Sequence, residues 1–96
     1  MRYEFEAEVW RWKEDAAWHF VTLPADCAEG LKALRGRAPG FGSIRVRVET
    51  GGTAWRTSLF PDRRSGSFLL PLKADVRRRE GLEAGRSARF AVEMEI

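Results

Sequence analysis

The run from Gly51 to Gly85, GGTAWRTSLFPDRRSGSFLLPLKADVRRREGLEAG, constrains the fold more than any other part of the chain. Its opening Gly-Gly reads as a hairpin turn, because glycine reaches backbone angles that other residues avoid. Two strands follow, about Thr53 to Phe60 and Ser67 to Leu70, separated by the turn-forming cluster Pro61-Asp62-Arg63-Arg64-Ser65-Gly66. The second strand ends in Leu70-Pro71. Lys73 to Arg79 then reads as a short helix with Val76 on its apolar face, arginines in its last turn and Gly81 as its stop.

Alternation supplies the remaining strands. Tyr3, Phe5, Ala7 and Val9 alternate with Glu4, Glu6 and Glu8; Ile44, Val46 and Val48 alternate with Arg45 and Arg47; Phe90, Val92, Met94 and Ile96 alternate with smaller or charged residues. With Trp18 to Leu23, this predicts six strands. A turn is expected at Lys13-Glu14-Asp15 and a connector at Gly36 to Gly42. A first short helix starts after Pro24, which fits a helix start because its missing N–H would be unpaired there. Asp26 sits in its first turn, and Cys27, Leu31 and Leu34 share a face before Gly36. The expected core is Phe5, Val9, Phe20, Ile44, Val46, Trp55, Leu59, Leu70, Val76, Phe90 and Val92.

Set side by side, the two halves run in the same order: strand, turn, strand ending in Leu-Pro, short helix, glycine, alternating strand. Leu23-Pro24 matches Leu70-Pro71. Each half alone leaves strand edges open, and interleaving the two closes a barrel. The expected fold is therefore mainly β, a six-stranded barrel with two short helices and an internal pseudo-two-fold repeat, in a single domain over residues 1–96.

Ninety-six residues make a small single core, which argues against a large enclosed active site. No apolar run is long enough for a membrane helix. The start MRYEFEAEVW alternates acid with hydrophobe and lacks the continuous apolar stretch of a signal peptide, so a cytoplasmic location is expected. One cysteine excludes an internal disulfide, and one histidine leaves no metal-ligand spacing, so neither cofactor nor metal is expected. The net charge of +3 conceals an acidic first third and a basic remainder, and 14 of the 17 cations are arginine. Arginine pairs bidentately with carboxylate or phosphate, so such a surface holds an anion or pairs with its own glutamates.

No residue set points to catalysis. His19 lies between Trp18 and Phe20 with no serine or cysteine near it in sequence, and Cys27 sits on the apolar face of a helix, where a thiol behaves as a small hydrophobe. Glu4, Glu6 and Glu8 read as a solvated strand face, with Arg45 or Arg47 as natural cross-strand partners. Trp10 and Trp12 share the parity of these glutamates and so point outward unless a bulge intervenes near Val9. Phe60 has the same problem opposite Leu59. These three form either a second apolar cluster or a ligand or partner surface. The candidate anion site is Arg56, Ser58, Lys73 and Arg77: the first two share a strand face, and the last two, four apart, share a helix face.

The second half, LLPLKADVRRREGLEAGRSARFAVE, resembles the strand, proline, helix, glycine, strand unit of AbrB-like swapped-hairpin domains. More specifically, the strand from Trp18 to Pro24, Gly42-Ser43-Ile44-Arg45-Val46, Trp55-Arg56-Thr57-Ser58-Leu59, Leu70-Pro71-Leu72-Lys73, Val76-Arg77 and Gly85 resemble the pattern of domain-of-unknown-function family 1905. That resemblance implies a double-split β-barrel with both halves in one chain, and no assigned activity. The family's glycine-aspartate pair near the last strand reads Gly85-Arg86 here. The expected function is a non-catalytic binding module for a small anionic ligand or a protein partner, monomeric rather than obligately dimeric. An AbrB-like nucleic-acid-binding regulator is the alternative, suggested by the half-unit and a pI near 9.6.

Overall fold

The computed structural model describes residues 2–13, 15, 17–35 and 42–95. Its order is β1 (Arg2–Glu8), β2 (Trp10–Arg11), β3 (His19–Thr22), α1 (Ala25–Arg35), β4 (Ile44–Thr50), β5 (Thr53–Asp62), β6 (Ser67–Pro71), α2 (Ala74–Glu80) and β7 (Ser87–Met94). All pairings are antiparallel, in the order β1-β7-β4-β5-β6-β3-β2. The two ends of that order, β1 and β2, are successive stretches of one extended segment. The sheet therefore curls round its core as a half-barrel.

Seven strands replace the expected six because the first one divides at Val9. Val9 donates its N–H to the Arg86 carbonyl at 2.9 Å, and its own carbonyl accepts from Gly85 at 2.7 Å. Two consecutive residues thus oppose one, as in a bulge, and the chain leaves β7 to pair with β3 through Trp10↔Phe20. The Val9 side chain is fully buried at this corner.

Nine of the expected core residues (Phe5, Val9, Ile44, Val46, Leu59, Leu70, Val76, Phe90 and Val92) lie in the core cluster, with Val21, Leu23, Leu31, Phe68, Leu72 and Leu82 beside them. Trp55 is only partly buried and packs against the rim of the cluster. Phe20 is buried but stands outside the cluster, because alternation along β3 gives the inner face to Val21. Leu34 is exposed; α1 buries Cys27, Ala28 and Leu31 instead. Glu4 pairs with Arg2 and Arg89 rather than with Arg45 or Arg47, since the neighbour of β1 is β7 and not β4. Ile96, Glu14 and residues 36–41 of the expected connector lie outside the described residues.

The two helix entries match bond for bond. Leu23 donates to the Phe68 carbonyl at 3.0 Å and Leu72 to the His19 carbonyl at 2.9 Å. Ala28 reaches Pro24 and Arg77 reaches Lys73, both at 3.0 Å. Asp26 accepts from the Cys27 N–H at 2.9 Å, as Asp75 does from Val76 at 3.0 Å. Leu23-Pro24-Ala25-Asp26 therefore lines up with Leu72-Lys73-Ala74-Asp75, and Leu23-Pro24 does not line up with Leu70-Pro71. Pro71 is a strand residue opposite Phe20. Pairing of β6 with β5 stops at Leu69, so the missing N–H of Pro71 breaks no ladder bond.

Candidate functional site

The β2–β3 ribbon carries different chemistry on its two faces. Trp10, Trp12, Trp18 and Phe20 share the outer face, with ring centroids 5.1, 6.3 and 6.0 Å from Phe20 for Trp10, Trp12 and Trp18. Trp10 is tied down by an indole N–H bond of 3.0 Å to the Thr22 hydroxyl. Trp12 and Trp18 remain 39% and 53% exposed. The paired Arg11 and His19 take the other face, one row beyond Val9 and Val21, at the mouth of the barrel.

At that mouth Arg11, His19, Arg77 and Arg78 line a cleft of about 370 Å³ together with the Gly81–Ala84 segment, whose Glu83 is the acidic residue of the lining. Gly81 makes this possible: its φ of 65° ends α2 abruptly and returns the chain beneath the ribbon. Arg77 is held by the Leu72 carbonyl, to which its Nε donates at 3.2 Å, and approaches the Ala17 carbonyl at 3.5 Å. Arg86 donates to the Gly81 carbonyl at 3.1 Å, offsetting the negative end of the helix dipole. His19 Nδ1 is buried without a hydrogen-bond partner. Burial first, then the positive charge of Arg77 and to a smaller extent that of Arg11, lower the pKa of this imidazole against an opposing pull from the Ala17 backbone, and favour its neutral form.

Five of the thirteen described arginines ion-pair on the sheet, and the other eight, which include Arg35, Arg63, Arg64, Arg79 and Arg86 as well as those at the mouth, form no ion pair among the described residues. Arg2, Arg45, Arg47, Arg56 and Arg89 all form ion pairs with Glu4, Glu49 or Glu95 on the sheet. Among the described residues, no carboxylate lies within 4.0 Å of Arg11, Arg77 or Arg78.

The four residues of the sequence-derived anion site are not gathered in one hollow. Arg56 points to Glu95, with Nε 3.0 Å from its carboxylate, and lines a surface hollow with Arg47 and Glu93. Ser58 accepts from Arg45 at 3.3 Å. Lys73 is exposed at the cap of α2, and Arg77 alone reaches the mouth cleft. Trp10, Trp12 and Phe60, by contrast, do share the outer sheet face: Phe60 pairs with Leu69, Leu69 with Thr22, and Thr22 holds Trp10. Cys27 is buried, and burial pushes its thiol pKa up, away from the reactive thiolate.

Sequence reasoning passed over Arg11, Trp18 and His19 as site residues. The available signal was the parity of Trp18 and Phe20 against His19, which sends indole and imidazole to opposite faces.

The family model described as "Domain of unknown function (DUF1905)" matches residues 5–92. The chain belongs to that family. The matched span begins at Phe5 on β1 and ends at Val92 on β7, so it includes both faces of the ribbon and the mouth cleft of this DUF1905 domain. No curated protein matches the chain. Among the described residues, no helix is long and apolar enough to cross a membrane.

Proposed function

We propose that this DUF1905 domain is a non-catalytic binding module for a small anionic ligand, taken up in the mouth cleft between the β2–β3 ribbon and α2. The observation that carries this reading is the convergence of Arg11, Arg77 and Arg78 on the cleft beside His19, none of them ion-paired among the described residues. A buried ring nitrogen without a partner is costly, and of the three such side-chain atoms among the described residues only that of His19 belongs to a residue lining the mouth cleft. Neutral His19 can donate from one nitrogen while Arg11 and Arg77 supply charge and planar donors, which is the donor set that phosphate or carboxylate recognition uses. Two carbonyls already orient Arg77, so little of its rotamer freedom is lost on binding.

The same reading treats the chain as a double-split barrel of two like units, β1–β2–β3–α1–β4 and β5–β6–α2–β7, distantly AbrB-like. The matched helix entries support it, as does a pairing order that is unchanged when the two units are exchanged. The pairing of the sheet arginines with glutamates weighs against nucleic acid, because those charges are already neutralised at short range.

Titration of phosphate, sulfate and nucleotides, followed by the NMR signals of the His19 ring, tests the proposal. Saturable shifts are expected, weakened about tenfold or more by Arg11→Ala or Arg77→Ala and left unchanged by Arg56→Ala. Equal binding by wild type and Arg77→Ala overturns it.

A further inference from the structure

We propose that the outer face of the β2–β3 ribbon is a second site, a cage for a small quaternary-ammonium head group. Trp12 and Trp18 are cross-strand neighbours, with the Trp12 N–H donating to the Trp18 carbonyl at 2.9 Å. Their side chains flank a cleft of about 250 Å³, with Phe20 as its floor and Asp15 at its lip. Trp18 lies 15° from the plane of Phe20, whereas Trp12 stands at 71° to it. The rings therefore present π faces in nearly perpendicular planes to one open surface hollow, so that a cation seated there meets more than one face.

The chemistry of the guest follows from these four residues. Each aromatic face carries a negative quadrupole, and tryptophan is the strongest of the three aromatic types in attracting a cation. Asp15 adds a full negative charge. One of its oxygens accepts from the Ala17 N–H at 3.0 Å, which steadies the carboxylate at the rim. A purely apolar guest would cover that carboxylate and strip its water without compensation, while a cation compensates it. A hydrogen-bonding ammonium or guanidinium would satisfy part of its donors at Asp15 and lose water from the rest to ring faces, whereas a quaternary ammonium has no donor to leave unpaired. A methylated ammonium carries its charge on an apolar surface, so it matches both the rings and Asp15. The volume falls below the roughly 300 Å³ at which sites for drug-sized ligands begin, which fits a head group rather than a whole extended molecule. This site is independent of the mouth cleft, since it uses the opposite face of the ribbon and the opposite ligand charge.

Choline and its neutral carbon isostere, 3,3-dimethylbutan-1-ol, separate charge from shape. Titration of the whole chain, followed by the indole N–H signals, should show choline shifting Trp12 and Trp18 saturably with a dissociation constant on the order of 1 mM. The isostere should bind about fivefold more weakly or worse. Trp18→Leu, which retains an apolar side chain at an exposed position, should abolish that preference while the circular dichroism of the fold is unchanged. Asp15→Asn should weaken choline severalfold and leave the isostere alone. Equal affinity for the two probes would make the cleft an ordinary apolar groove and overturn the proposal, as would unsaturable shifts with choline up to about 50 mM or a charge preference that survives in Trp18→Leu. Loss of phosphate binding at His19 would leave all of these outcomes readable.

Discussion

Phe68 and His19 stand at corresponding places in the two halves of the molecule, and each half uses that place differently. Each offers its carbonyl to the leucine that leads into a helix: Phe68 to Leu23 before α1, His19 to Leu72 before α2. In the first case the side chain is an apolar ring, 1% exposed and within the core. The nearby cations serve structure there. Lys32 and Arg35 lie 6.0 and 5.9 Å from its centroid, Lys32 bonds the Gly66 carbonyl and Arg35 the Gly42 carbonyl. In the second case the ring is an imidazole with a nitrogen left unpartnered, and Arg77 and Arg78 line an open cleft beside it. The helices differ accordingly: α1 runs eleven residues and buries three, whereas α2 runs seven and buries Val76 alone. The same helix-entry bond thus carries a core ring in one case and a polar ring beside an open cleft in the other.

The largest effect that separates the two positions is on stability. Phe68→Ala should destabilise the domain by about 3–5 kcal/mol, since a buried aromatic leaves a cavity its neighbours cannot fill. His19→Ala should cost less than about 1 kcal/mol, because it removes an orphaned polar atom along with some packing. Urea unfolding of both variants measures this, and equal losses would break the contrast between a closed and an open half.

A smaller effect of opposite sign is expected when one half is made to imitate the other. His19→Phe should stabilise the domain by about 1 kcal/mol through removal of the unpartnered nitrogen, and should abolish phosphate binding at the mouth. A variant that is more stable and still binds phosphate would separate His19 from the site. A variant that is less stable would show that the imidazole is held by the fold for its own sake.

Much of this contrast could be read in the sequence, and the exceptions have physical causes. The Gly51-Gly52 hairpin, the Gly81 stop and the cores of β4 and β7 follow from glycine geometry and period-two alternation, both of which act locally. The strand count did not follow, because the break at Val9 comes from Arg86 and Gly85, far along the chain. Phe20 stands on the outer face because alternation along β3 gives the inner one to Val21, and two adjacent hydrophobic residues do not mark which of them points inward. The two Leu-Pro pairs do not hold matching places; the Ala-Asp pairs at 25–26 and 74–75 carry the similar helix-entry bonds. Of the four residues expected at an anion site, Arg77 lines the mouth cleft and Arg56, Ser58 and Lys73 do not. The companions of Arg77 came from the ribbon opposite, and cross-strand neighbours cannot be read from spacing along a helix.

The smallest effect is on the pH dependence of stability. In the unfolded chain His19 titrates near its ordinary 6.5, and in the folded chain burial, Arg77 and Arg11 lower its pKa. Above pH 6.5 both states hold the neutral ring, and stability is at its full value with respect to this group. As pH falls below 6.5, the unfolded state takes up a proton that the folded state still refuses. Stability therefore declines, and the decline from this residue ends once pH has passed below the folded pKa. His19→Phe should lack that component while keeping the carboxylate-driven loss at lower pH. Phe68, at the corresponding place in the other half, contributes nothing to it. Saturating phosphate should reverse the sign for His19, because a bound anion beside the ring favours the imidazolium and lifts its pKa. Stability would then gain as pH falls toward 6.5. Urea midpoints between about pH 5 and 8, with and without phosphate, measure both slopes. If the two slopes coincide, the mouth does not hold an anion against His19.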